Sequence, residues 1–225
     1  MTYILNIETS TKMCSVSLSK EGELLNVIEE SAQKYIHSEK LTLLITALLK
    51  EAGGALAHLG AIAISKGPGS FTGLRIGVST AKGLCYALNI PLIAIDSLFS
   101  LNQGFIAENG PLSTNEISLP MIDARRMEVF TSAFRSDGSQ LFKTKAQVVD
   151  ANFFESLKNY SRVYVFGDGA AKLKNEFNPS NTVFNTQINC SSKYLVDQSF
   201  KLYTKKKFEN VAYFEPYYLK DFKPF

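Results

Sequence analysis

The chain has 225 residues, and its 24 Lys and Arg against 21 Asp and Glu leave a net charge of +3, too little for a protein that grips nucleic acid over its whole surface. Hydrophobic residues make up 45% of it, enough to fill one large or two small cores, which excludes an intrinsically disordered chain. Three widely spaced cysteines, Cys14, Cys85 and Cys190, include no Cys-x-x-Cys pair and read as reduced, core-filling thiols.

Residues 3–8, 13–19 and 23–31 read as three strands joined by short turns, the tightest at Lys20-Glu21-Gly22. A helix is predicted over 38–52, ended by Gly53-Gly54. A strand over 61–65 leads into Lys66-Gly-Pro-Gly-Ser-Phe-Thr-Gly-Leu-Arg-Ile-Gly77, and a helix is predicted over 73–88. In such a glycine-rich run backbone N–H groups can face a phosphate, or another backbone can come close. It is not a Walker A loop, because Leu74-Arg75 stands where Lys-Ser/Thr should follow the last glycine. A strand over 92–95 and a helix opened by Asp96 or Ser97 complete the order βββαβαβα.

The second half begins the same way. Leu119-Pro120-Met121-Ile122-Asp123, a strand over 127–135 and Ser136-Asp137-Gly138 mirror Ile4-Leu5-Asn6-Ile7-Glu8, the second strand and Lys20-Glu21-Gly22. Such a duplication is the pattern of the actin, sugar kinase and Hsp70 superfamily, so a two-lobed α/β actin-like fold is expected. The polar, Gly- and Pro-containing stretch 102–116 divides the lobes, 1–103 and 104–225. Helices over 150–160 and 192–205 are expected to flank a strand over 163–166 in the second lobe. The tail after Ala212, with Tyr213, Phe214, Tyr217, Tyr218, Phe222 and Phe225, should dock on the protein body, packing back on the first lobe. No apolar run approaches the ~20 residues of a membrane span, and the chain enters a strand at once, so a soluble cytoplasmic protein without membrane contact is expected.

Two helices carry more apolar surface than their own sheet needs. On 38–52, Leu41, Leu44, Ile45, Leu48, Leu49 and Ala52 form the seam for the sheet, while Ile36, Leu43 and Ala47 lie on a separate stripe. On 73–88, Gly77, Val78, Ala81, Cys85 and Leu88 face the sheet, Arg75, Ser79, Lys82 and Tyr86 make a polar edge, and Ile76, Thr80, Gly83, Leu84 and Ala87 lie on the far side. Small residues there let another helix approach. The residues alone leave open whether another part of the chain or a partner covers this side.

The run from Lys66 to Gly77 resembles the hallmark of the TsaB family, the dimerisation subunit of the bacterial machinery that makes threonylcarbamoyladenosine (t6A) in tRNA. The resemblance extends along nearly the whole chain, through Ile4–Ser10, His37-Ser38-Glu39-Lys40-Leu41, Ile122-Asp123-Ala124-Arg125-Arg126, Gly167-Asp168-Gly169-Ala170 and Pro216-Tyr217-Tyr218-Leu219-Lys220. It implies the actin-like fold and a partner surface made of the two helices, with Ile36, Leu43, Ala47, Ile76, Thr80, Gly83, Leu84 and Ala87 packing against the matching helices of TsaD. It further implies a homodimer through the same surface when TsaD is absent, the ATPase TsaE joining the assembly, and tRNA met only through the complex. TsaD transfers threonylcarbamoyl from threonylcarbamoyl-AMP to N6 of the adenosine 3′ of the anticodon, and TsaB holds it in a competent form.

No catalytic group, cofactor or metal site is expected. Active members of the superfamily hold phosphates and a metal beside the first hairpin of each lobe. Here those hairpins read Glu8-Thr9-Ser10-Thr11-Lys12 and Asp123-Ala124-Arg125-Arg126, without glycine. Glu8 and Asp123 are read as capping turns or pairing with Lys12, Arg125 or Arg126. TsaD uses a His-x-x-x-His metal pair, but Leu41 stands four residues after His37, and the only other histidine is His58. His37 is read as a helix-start residue, Gly167-Asp168-Gly169-Ala170 as a strand-to-helix turn, and Lys205-Lys206-Lys207 as solvated charge at a helix C-terminus. No Ser-His-Asp arrangement is legible. The rival reading is an active ATP-dependent kinase or ATPase of the same fold, using Glu8 and Asp123. A protein binding tRNA alone is disfavoured by the charge balance.

Overall fold

A computed structural model of the chain describes residues 1–32, 36–51 and 58–220. The predicted helix end at Ala52-Gly53-Gly54, and Phe222 and Phe225 of the tail, lie outside the described residues. The chain divides into two compact units, Met1–Ser100 with Cys190–Tyr218, and Leu101–Asn189 with Leu219–Phe225.

In the first unit β1 (Tyr3–Glu8), β2 (Met13–Lys20) and β3 (Glu23–Ser31) form an antiparallel meander. β4 (Leu59–Gly67) and β5 (Leu92–Asp96) add to it in parallel, in the order β3-β2-β1-β4-β5. Alternation decides the two faces of this sheet. Leu5, Ile7, Val16, Leu18, Ile62 and Ile64 bury against α1 (His37–Glu51) and α2 (Phe71–Leu88). From the other face Ile4, Ala61, Ala63, Ile93 and Ile95 pack with Leu195 and with Phe200 and Leu202 of α6 (Val196–Thr204). α1 forms because Leu41, Leu44, Ile45, Leu48 and Leu49 recur at helical spacing, and all are buried. α2 is capped at both ends: the Ser70 hydroxyl accepts from the Gly73 N–H, and Asn89 adopts the left-handed conformation with its N–H on the last carbonyls.

In the second unit β6 (Glu116–Asp123), β7 (Glu128–Arg135) and β8 (Gln140–Val148) are antiparallel, with β9 (Arg162–Phe166) and β10 (Thr182–Asn185) parallel beside β6. The order β8-β7-β6-β9-β10 repeats the first sheet strand for strand. α4 (Ala151–Glu155), capped by Asp150, and α5 (Asp168–Lys174) stand where α1 and α2 stand in the first unit. Each unit thus repeats one α/β topology, the actin-like duplication expected. α3 (Ser97–Asn109) runs on from β5.

Two expectations need correction. The helix over 192–205 is a 3-10 turn, Ser192–Leu195, followed by α6, and it packs on β1 and β5 of the first unit rather than beside β9 in the second. Its apolar stripe is the same whichever sheet it covers, so periodicity could not assign it. The helix over 150–160 is shorter, ending at Glu155.

Candidate functional site

The glycine-rich segment is organised by contact with the chain's own first hairpin. The Ser70 N–H donates to the Ser10 carbonyl at 2.7 Å. A Cβ on Gly69 would strike the Ser10 carbonyl, one on Gly73 the Thr9 carbonyl, and one on Gly77 the Thr9 hydroxyl. These glycines therefore exist so that α2 can start directly against the Thr9-Ser10 turn. Of the two uses of such a run, close approach of another backbone is the one realised here. Gly167 does the same in the second unit, at φ +97 with the Met121 carbonyl in the place of a Cβ.

Beneath this contact lies Glu8, fully buried. Its Oε1 accepts from the Ser10 N–H at 2.6 Å, so it caps its turn and does not pair with Lys12; Oε2 has no hydrogen-bond partner among the described residues. Burial pushes the Glu8 carboxyl above the ordinary glutamate range, opposed in part by hydrogen bonding from Ser10 and Ser65. Asp123 at the equivalent place in the second unit caps its turn too, accepting the Arg125 N–H at 2.9 Å, and pairs with Lys172 at 2.5 Å rather than with either arginine. Lys172 was not foreseen, because it sits 49 residues away on α5. Asp168 accepts the Asp123 N–H at 3.0 Å, and burial raises its carboxyl to about 6.

His37 opens α1, buried, with Nε2 3.2 Å from the Met13 carbonyl, and burial lowers its pKa. His58 is exposed. No group of three or more His, Cys, Asp or Glu among the described residues is placed to hold a metal ion.

The two helices lie side by side on one face of the first sheet. Leu43 is 62% exposed, Gly83 has open space around its missing side chain, and Ala87 is exposed. Ile36, Ala47, Ile76, Thr80 and Leu84 are half-buried, with Ile36, Ile76 and Leu84 touching the core at its margin. Between the helices runs an apolar groove of about 330 Å³, lined by Thr42, Ile45, Thr46, Leu49, Thr80 and Leu84 among others. Of the polar edge of α2 the tail engages Lys82 alone, while Arg75, Ser79 and Tyr86 are exposed: Lys82 Nζ donates to the carbonyls of Ala212 and Phe214, the Tyr217 N–H donates to the Lys66 carbonyl, and Tyr218 packs on Phe71 with ring centroids 4.7 Å apart. Tyr213 nevertheless points outward, 84% exposed, as does Tyr86 at 86%. Lys205, Lys206 and Lys207 are exposed at the end of α6. No helix among the described residues is long and apolar enough to cross a membrane.

Comparison with known proteins agrees with this architecture. A family described as TsaD, tRNA N6-adenosine threonylcarbamoyltransferase, matches residues 27–201. The chain is 34% identical over 165 residues to the tRNA threonylcarbamoyladenosine biosynthesis protein TsaB of Bacillus subtilis, covering 72% of this chain and 69% of that one. It is 34% identical over 134 residues to the protein of the same name from Escherichia coli, across 60% of this chain and 55% of the relative, so this match spans little more than half of that protein's length. Among solved structures, YeaZ from Pseudomonas aeruginosa superposes with a TM-score of 0.76 at 26% identity, over 97% of this chain and 100% of the other.

Proposed function

The chain belongs to the TsaB family, and from that premise we propose that it is a non-catalytic subunit that binds TsaD and activates it for transfer of threonylcarbamoyl to tRNA adenosine. The observation that carries this reading is the pair α1 and α2, which leave Leu43, Gly83 and Ala87 uncovered beside an apolar groove. Apolar and small residues on a helix face suit close helix–helix packing. That the matching family is described as TsaD while the curated relatives are named TsaB fits two subunits of common ancestry, and like helices can then pack about a local two-fold axis. The same geometry would serve a homodimer when TsaD is absent. TsaE joins the assembled pair, and tRNA is met through the complex, in the cytoplasm, to which three buried free cysteines are suited.

The first-unit loop supports a role without chemistry. The Thr9-Ser10 turn is fully buried under the start of α2, so its groups have no room to meet a substrate. The chain's contribution is then interface and geometry.

Leu43→Glu and Gly83→Arg test the surface. Each should weaken the complex with TsaD by about 3 kcal/mol, on the order of a hundredfold, while the isolated chain keeps its secondary structure by circular dichroism. An undiminished affinity for TsaD in both variants would show that another surface is used.

A further inference from the structure

The duplicated hairpin loops are built alike yet presented differently. In each, the acid at the end of the first strand accepts the N–H two residues on. In the first unit the loop is closed, with Glu8, Thr9, Ser10 and Thr11 all buried. In the second, Asp123, Arg125, Arg126 and Met127 are exposed. Arg125 and Arg126 also have φ of 69 and 51, the left-handed region that glycine or asparagine occupies at little cost and arginine does not. They are the one consecutive non-glycine pair in that region among the described residues. The neighbouring acids are already engaged: Asp123 pairs with Lys172, Glu128 with Lys220, and Asp168 accepts the Asp123 N–H. Among the described residues Arg126 makes no ion pair.

We propose that the Arg125-Arg126 turn is a phosphate-binding site that contacts the RNA backbone in the assembled complex. Strained backbone is retained where the surrounding structure holds it for a use, and guanidinium forks match phosphate oxygens. An exposed turn suits a string of phosphodiesters, whereas a free nucleotide is better held in an enclosed pocket. The proposal rests on reading the chain as a subunit of a tRNA-modifying assembly.

The test uses the complex of full-length chain and TsaD, with tRNA binding followed by fluorescence anisotropy across a salt series. In Arg125→Gly/Arg126→Gly the turn loses its strain together with its charge. The complex should form with unchanged mass and the chain should melt no lower than wild type. tRNA affinity should fall about tenfold at low salt, with the slope of log K against log salt shallower by ~1 to 2. Lys143→Gln/Lys174→Gln removes the same charge elsewhere in the unit and should change both far less. Normal assembly with unchanged affinity and slope in the arginine variant would overturn the phosphate site alone. Loss of ATP binding with tRNA binding intact would assign the phosphate to a nucleotide and overturn the RNA assignment. A wild-type chain that does not bind TsaD would overturn both this site and the subunit reading.

Discussion

Glu8 shows how one residue records the closing of a loop. A carboxyl with no solvent, and one oxygen without a hydrogen-bond partner among the described residues, holds its proton more tightly in the folded chain than in the unfolded one. The folded state therefore binds more protons over the window above the ordinary glutamate pKa, and stability falls as pH rises through it. Asp168, raised to about 6, adds a decline of the same sign up to that pH. Glu8→Gln keeps the shape and cannot ionise, so its stability should fall less steeply between pH 5 and 8, and it should be the more stable protein at pH 8. Chemical denaturation at several pH values checks this; parallel stability curves for the two proteins would mean that Glu8 stays ionised. The capping role of Glu8 was legible from its place before a turn. Its burial was not, because the segment that covers its turn begins 62 residues later, at Ser70.

At the scale of elements, α2 has two kinds of glycine, distinguished by what lies opposite. Gly73 has the Thr9 carbonyl where a side chain would go, whereas Gly83 faces open space. Gly73→Ala should cost about 3 kcal/mol through forced displacement of the first hairpin. Gly83→Ala should raise the stability of the isolated chain by up to ~1 kcal/mol from helix propensity alone. Thermal melts of the two variants moving in the same direction would contradict this account of the motif. The amphipathic stripes of α1 and α2 were readable because burial against a sheet imposes a helical period. Two things were not readable: that Lys82, on the polar edge of α2, ties down the carbonyls of Ala212 and Phe214, and that α6 returns to the first sheet. Both depend on contacts between segments remote in sequence, which leave no local pattern.

For the whole molecule, the duplication was legible in the repeated strand, acid and glycine of Ile4–Gly22 and Leu119–Gly138, and the two sheets reproduce it strand for strand. Sequence gave less guidance on how the two copies diverged. One hairpin loop is sealed by the glycine-rich segment, and the other stands open with two strained arginines. A fold shared with kinases and ATPases says nothing by itself about activity. The central claim is that this chain works by pairing with TsaD, and the most direct measurement is the mass of the mixture by light scattering during size-exclusion chromatography, followed by tRNA modification with each protein alone and together. The account predicts a one-to-one complex and modification only when both are present. No complex, with Mg²⁺-dependent ATP hydrolysis by this chain alone that is lost in Glu8→Ala or Asp123→Ala, would contradict it and favour an active kinase or ATPase.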